Sequence, residues 1–181
     1  MTDALALASG WSLAGIFLFA AVHKARNYLS FRGVLSQYNL LPEALVGIAA
    51  PAIVAAEILA ALALLTPAGI LPGVPTASLA ALLLCLYTGA IAVNLMRGRT
   101  AIDCGCGGEP TPLSGWLLAR NALLLGLAVT ASTAGVPEWT PGLLLLAAAP
   151  TAFLWSAYAI GNQLLANRHR AWPELPGWQG G

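Results

Sequence analysis

Residues 44–66 read ALVGIAAPAIVAAEILAALALLT, and this stretch decides the fold. Glu57 is its only charged side chain, and most of the other positions are Ala, Ile, Leu or Val. A helix that crosses the roughly 30 Å hydrocarbon layer of a bilayer needs about 20 predominantly apolar residues. The stretch therefore predicts a membrane-spanning helix.

Four further apolar stretches predict four more spans, at residues 4–22, 76–96, 116–134 and 142–165. Of the 181 residues, 59% are hydrophobic and 8% are charged, whereas soluble domains are roughly 25% charged. A net charge of +1 provides no basic field for nucleic acid. We expect an all-α, polytopic helix bundle in a lipid bilayer, with a single membrane domain at residues 1–170 and an irregular tail at 171–181.

The first connection, residues 23–43, contains a further helical pattern. Its larger apolar side chains recur at helical spacing, with polar residues between them: Tyr28, Phe31, Leu35 and Tyr38. We predict an amphipathic helix that lies on the membrane surface. Packing of the same aromatic side chains on the bundle is the alternative, and it leaves the topology unchanged.

The third connection holds two neighbouring cysteines, in the sequence Asp103-Cys104-Gly105-Cys106. Residues two apart reach the Cα separation of a disulfide only where the chain bends, and the nearby glycines permit that bend. So small a ring is expected to be strained, and strained, exposed disulfides exchange readily with partner thiols. We therefore predict that Cys104 and Cys106 are a redox pair. Four cationic side chains on the same face would stabilise a thiolate, namely Lys24, Arg26, Arg97 and Arg99. Two carboxylates, Asp103 and Glu109, would destabilise it.

Two other interpretations of this pair remain open. The cysteines have no role, or they bind a soft ion such as copper(I) with His23 as a third ligand. A closed zinc site would need four ligands, and the chain offers too few. The third cysteine, Cys85, lies roughly 18 Å below the loop at about 1.5 Å of rise per residue, so we expect it to be a small core residue.

Two charged residues fall within the predicted spans. Glu57 is costly in lipid, so we expect it to face the bundle interior. There it is a proton or quinone contact, or it forms an interhelical hydrogen bond to Asn94, Ser78 or Thr88. Arg120 lies four residues into the fourth span, and its long side chain can extend back to the face that carries the cysteines. It would stabilise a thiolate or a lipid headgroup there, or serve as an anchor alone.

Taken together, these segments resemble the MauE family, within the broader group of MauE and DoxX-like membrane proteins. The resemblance covers roughly residues 10–135. It rests on HKAR at residues 23–26, FRGVLSQYNLLP at 31–42, Glu57, RGRTAIDCGC at 97–106 and WLLARN at 116–121.

The resemblance implies a multi-pass protein of the bacterial inner membrane that is needed to mature methylamine dehydrogenase. It implies two partners, a thioredoxin-like, membrane-anchored MauD-like protein and the small (beta) subunit of that enzyme, which is exported and rich in disulfides. It also implies a four-helix core of the DoxX and vitamin K epoxide reductase type, with a fifth C-terminal span added. That fold passes electrons from thiols to a quinone and uses two cysteines separated by two residues, where this chain has Cys-Gly-Cys.

We therefore expect a membrane thiol–disulfide redox protein, with a non-catalytic scaffold or export helper and a soft-metal carrier as alternatives. Two arguments disagree about the side of the membrane on which the cysteines lie. Seven of the eight Lys and Arg residues lie on the cysteine face, which the positive-inside rule places in the cytoplasm. Disulfide chemistry on an exported subunit belongs outside, because cytosolic thiols are kept reduced. We expect the exported side.

Overall fold

The computed structural model describes residues 2–66, 76–106, 111–133 and 140–171. Of these residues 84% are helical, and their only β-structure is an isolated bridge between Asp103 and Pro112. The helices, in chain order, are α1 (Thr2–Arg26), α2 (Tyr28–Gln37), α3 (Glu43–Leu65), α4 (Ser78–Met96), α5 (Gly115–Thr133) and α6 (Pro141–Ala171). The all-α bundle expected from the sequence is confirmed.

All of these helices except α2 are long and apolar enough to cross a membrane. They lie where the five spans were predicted, but two of them continue further. Helix α1 extends to Arg26 and so includes His23 and Lys24, and α6 extends to Ala171. The remainder of the predicted irregular tail lies outside the described residues.

Helix α1 occupies the centre of the bundle and contacts α3, α5 and α6. In its most apolar window 67% of the residues are buried, against 6% in α6. Small side chains line its interfaces, as is common where membrane helices pack closely. The main core cluster combines Leu13, Ala14, Ile16 and Phe17 of α1 with Ala60, Ala61 and Leu64 of α3, Leu83 and Leu84 of α4, and Leu124 and Ala128 of α5.

Helix α2 forms where the amphipathic pattern predicted a helix, and the stripe packs on the bundle. Phe31 and Tyr38 are buried, and Tyr28 and Leu35 are half-buried. Leu29, which lies off the stripe, is 80% exposed. The structure thus favours the second of the two placements considered for this segment.

A second, smaller core cluster lies beneath the cysteine loop and connects it to the bundle. It contains Tyr38, Ile91 of α4, Ile102 and Leu113 of the loop, and Leu117 of α5. The hydrophobic effect therefore holds both ends of the loop against α4 and α5.

The expectation that Cys85 is a core residue is wrong. Its side chain is exposed on α4, where the flanking Leu82 and Leu86 are also exposed, at 55% and 59%. On a membrane-spanning helix this exposed face contacts lipid.

Candidate functional site

Cys104 and Cys106 are joined by a disulfide, with their Cα atoms 5.3 Å apart. Both residues are half-buried. Two hydrogen bonds join residues 103–104 to Thr111 across the loop. The Cys104 N–H donates to the Thr111 carbonyl at 2.8 Å, and the Thr111 N–H donates to Asp103 Oδ1 at 2.9 Å. The disulfide is therefore held in a defined place and remains partly accessible.

Gly105 makes the turn between the two cysteines possible. Its φ is +68°, in the left-handed region that residues with a Cβ rarely adopt. A Cβ at this position would also lie 3.2 Å from Cγ1 of Val34 on α2. Helix α2 thus approaches the disulfide turn closely, and only glycine suits both the backbone and the space.

Tyr38, at the end of α2, ties that helix to the disulfide. Its hydroxyl donates to the Cys104 carbonyl at 3.1 Å. Burial raises the pKa of Tyr38, and the nearby Asp103 carboxylate raises that pKa further. The phenol therefore stays neutral and keeps its donor proton at physiological pH.

Arg120 reaches the disulfide from α5. Its Nη2 lies 3.1 Å from Sγ of Cys106 and 3.7 Å from Sγ of Cys104, while Nη1 donates to Oδ1 of Asn162 on α6 at 3.1 Å. The ring of Tyr158 lies 5.9 Å from the guanidinium carbon. The side chain is therefore oriented by α6 and presents its charge to the two sulfurs, as the sequence suggested.

Lys24 and Glu57 form an ion pair in which both side chains are buried, at 4% and 1% exposure. Tyr87 of α4 donates to the same carboxylate oxygen of Glu57 at 2.7 Å. The expectation of a hydrogen bond from Glu57 to Asn94, Ser78 or Thr88 is wrong. A carboxylate buried inside a membrane bundle needs a counter-charge more than a neutral donor, and α1 supplies one from its last turn.

The other basic residues of this face have different roles. Arg97 donates to the Asn39 carbonyl at 3.3 Å, and Arg99 donates to the Tyr38 carbonyl at 3.5 Å. Both therefore tie the loop to the segment between α2 and α3. Within the part of the chain that the structure describes, neither Arg26 nor Arg97 hydrogen-bonds to either sulfur. Glu109 lies outside the described residues.

One cavity borders the disulfide, and another lies beside Arg120. One, of about 270 Å³, lies between α2 and α4 and is lined by Lys24, Tyr87, both cysteines and mainly aliphatic side chains. The other, of about 240 Å³, lies on the α6 side of Arg120 and is lined by more polar residues, including Thr111, Tyr158, Asn162 and Gln163. The cysteines line the first of these cavities and not the second, so the apolar cavity is the one in contact with the disulfide.

Metal binding gains no support from this geometry. Across the described residues, no three His, Cys, Asp or Glu side chains are grouped so that they could hold an ion. His23 therefore does not complete a three-ligand copper site with the two cysteines in this structure.

Sequence reasoning missed three polar residues of this site, namely Tyr38, Tyr87 and Asn162. The spacing of Tyr38 predicts that it belongs to an apolar stripe, and that pattern indicates no partner for its hydroxyl. Tyr87 and Asn162 interrupt otherwise apolar spans, and a polar group within a span is itself a signal for an interior partner.

Comparison with known proteins gives one consistent match. The family model described as methylamine utilisation protein MauE matches residues 2–134. Proteins named methylamine utilization protein MauE are similar to the chain in Paracoccus denitrificans (38% identity over 135 residues, 73% of this chain and 70% of the relative) and Paracoccus versutus (39% over 132 residues, 72% and 69%). The namesake of Methylophilus methylotrophus is 45% identical over 95 residues, 52% of this chain and 48% of the relative. No solved structure matches significantly.

Proposed function

Because the chain belongs to the MauE family of methylamine utilisation proteins, we propose that it is the thiol–disulfide redox protein of the inner membrane that serves maturation of the methylamine dehydrogenase small (beta) subunit. Its place in methylamine utilisation and in a membrane follows from the family and the five apolar helices. The redox role and its partners are our proposal.

One observation carries the proposal, which is the guanidinium of Arg120 beside a half-buried disulfide. When a thiolate attacks a disulfide, negative charge develops on the sulfur that leaves. A hydrogen bond from a cation stabilises that charge, and it is stronger in a partly desolvated site. The arrangement suits disulfide exchange better than a purely structural cross-link, which needs no cation at its sulfurs.

The two sulfurs have different roles in this proposal. Arg120 Nη2 is closer to Cys106 Sγ than to Cys104 Sγ, so Cys106 is the better leaving group. The partner's thiolate attacks Cys104 Sγ, the Cys104–Cys106 bond breaks, and its electron pair goes to Cys106 Sγ. A second partner thiolate then attacks the partner sulfur of the mixed disulfide and releases Cys104. The partner leaves as a disulfide, and this protein retains two electrons and takes up two protons.

The partner that fits this chemistry is a thioredoxin-like, membrane-anchored protein of the MauD type, which would in turn oxidise the small subunit. The partly exposed disulfide lies at one end of the bundle, where a tethered domain can reach it. The proposal requires that end to face the exported side, where disulfides persist.

Trapping tests the proposal. The full-length Cys106→Ser protein has no disulfide of its own, so its Cys104 thiolate attacks the oxidised partner's disulfide, in the reverse of the second step. Because no Cys106 thiol is present to displace the partner, a mixed disulfide through Cys104 should accumulate, and it can be identified by non-reducing electrophoresis and mass spectrometry of the attached chain. The Cys104→Ser protein should accumulate less of it. The lipid-facing Cys85→Ser variant is the matched control and should behave as the parent does.

Two outcomes would replace this proposal by its alternatives. Normal maturation of the small subunit in the Cys104→Ser/Cys106→Ser double variant would favour a scaffold or export helper. Copper(I) binding that depends on both cysteines, without any trapped mixed disulfide, would favour a soft-metal carrier.

A further inference from the structure

Arg120 is a cation in a membrane-spanning helix that has no anionic partner among the described residues. The one ion pair of those residues joins Lys24 to Glu57. The Arg120 guanidinium donates instead to the uncharged amides of Asn121 and Asn162 and to the disulfide, and its Nε is buried without a hydrogen-bond partner. A charge within a membrane bundle is costly unless an opposite charge pairs with it. The guanidinium therefore favours an anionic ligand and retains a donor for it.

The cavity on the α6 side of Arg120 gives such a ligand room. Arg120 is the only charged side chain among the described residues that line it, and the other polar ones are uncharged: Thr111, Tyr158, Asn162 and Gln163. Their hydroxyl and amide groups can both donate and accept hydrogen bonds. The volume of about 240 Å³ is below the roughly 300 to 1,000 Å³ of sites that enclose drug-sized molecules. The cavity therefore suits an anion of headgroup size.

The cavity lies near the end of the spans that carries the cysteine loop, and it reaches the lipid-facing surface. Helix α5 begins at Gly115, so at about 1.5 Å of rise per residue Arg120 lies roughly 7.5 Å along it. Phe19 of α1 and Trp155 of α6 also line the cavity, and they are 49% and 41% exposed. Tryptophan and tyrosine are enriched where hydrocarbon meets lipid headgroups. A lipid can therefore place its headgroup in the cavity while its acyl chains stay in the bilayer.

We propose that this cavity binds the phosphate of an anionic phospholipid with a glycerol headgroup, such as phosphatidylglycerol. Guanidinium groups form strong, charge-assisted hydrogen bonds with phosphate oxygens. The hydroxyls of a glycerol headgroup find partners in the uncharged polar lining, whereas the ammonium of a choline or ethanolamine headgroup meets no carboxylate among the described lining residues. The cysteines do not line this cavity, so the inference does not depend on the redox role.

Native mass spectrometry of the full-length protein in an uncharged detergent tests the site. The probe is dioleoyl phosphatidylglycerol, and dioleoyl phosphatidylcholine is the comparison. We expect one phosphatidylglycerol to bind saturably at concentrations at which phosphatidylcholine is not retained. Arg120→Gln removes the cation, and Ala159→Phe fills the cavity from its α6 wall with the cation intact. Each should raise the half-saturating concentration about tenfold or more. Ala157→Phe, exposed on α6 and absent from the cavity wall, is the matched control and should leave it unchanged.

Three results would overturn the inference. Equal retention of the two lipids, or a half-saturating concentration that Ala159→Phe does not change, would show that lipid only coats the apolar surface; this variant decides the matter even if Arg120→Gln does not fold. Displacement of phosphatidylglycerol by an equal concentration of sn-glycerol 3-phosphate would assign the site to a soluble phosphate. Glu109→Gln should leave lipid binding unchanged, and a tenfold tightening would show that this carboxylate, and no lipid, is the counter-charge of Arg120.

Discussion

Replacement of Arg120 by Gln should slow attack on the disulfide without removing the disulfide. In the parent protein, Nη2 of Arg120 lies 3.1 Å from the sulfur that we propose to leave and Nη1 is held by Asn162. Gln retains a polar amide at this position but has neither the charge nor the two-pronged donor set. The departing Cys106 thiolate then lacks its cation.

The size of the effect follows from the bond that is lost. A hydrogen bond that involves a charged group contributes about 1.5 to 3 kcal/mol. Each 1.4 kcal/mol or so of barrier changes a rate about tenfold, so the exchange rate should fall by about 10- to 100-fold. The lower half of that range is expected, because Nη2 shares its donors among both sulfurs and Oδ1 of Asn121.

The assay is the rate at which a reduced thioredoxin reduces the purified, oxidised protein in detergent, read from thioredoxin fluorescence. Arg99→Gln is the matched control, because Arg99 is a cation of the same loop whose guanidinium donates to the Tyr38 carbonyl instead of to a sulfur. It should leave the rate nearly unchanged. Equal slowing by both substitutions, or a parental rate in Arg120→Gln, would refute the role given to Arg120.

Three further predictions concern the ion pair, the turn and the orientation. Glu57→Gln should lower the free energy of unfolding by about 3 to 5 kcal/mol, because Lys24 is left buried without its counter-charge. In denaturant titrations in micelles, the Lys24→Met/Glu57→Gln double variant should recover most of this lost stability. A Glu57→Gln protein as stable as the parent would contradict the pairing. Gly105→Ala should lower the melting temperature of the oxidised protein, because alanine in this left-handed backbone conformation costs about 1 to 2 kcal/mol. Gly33→Ala in α2 is the control and should not lower the melting temperature, since a Cβ there meets nothing within 4 Å. Equal shifts in melting temperature would contradict the conformational argument. After reduction, a membrane-impermeant thiol reagent should label the loop cysteines from the exported side of intact spheroplasts, and labelling only after the membrane is opened would place them in the cytoplasm.

The positions of the spans could be read from the sequence because lipid imposes a simple requirement on length and polarity. Arg120 could be placed as well, since its depth in α5 and the length of its side chain limit where its charge can lie. The aromatic spacing of residues 28–38 likewise predicted a helix. Each of these features depends on one segment of the chain and on the lipid or water around it, and not on its contacts with other helices.

The contacts between helices could not be read in the same way. Helix α4 is largely apolar, so only a few polar side chains, such as Tyr87 and Asn94, distinguish its buried face from the face that carries Cys85. The partner of Glu57 is Lys24, which lies 33 residues away on another helix, whereas the sequence alone predicts that Lys24 acts on the thiols. Which donor reaches a buried carboxylate depends on how α1, α3 and α4 are rotated about their axes, and apolar composition does not specify those rotations.

The pairing of Lys24 with Glu57 also lowers the cost of placing α3 in the bilayer. A charge at the centre of a lone helix adds about 2.5 to 3.5 kcal/mol to its insertion, and α3 has the highest hydropathy of the five spans to offset this. Its carboxylate meets a counter-charge only beside α1, against which it packs more extensively than against any other helix. Packing of α3 against α1 therefore leaves no unpaired charge at Glu57 within the bilayer, and the α1–α3 pair offers the later helices an interior in which that carboxylate is already neutralised.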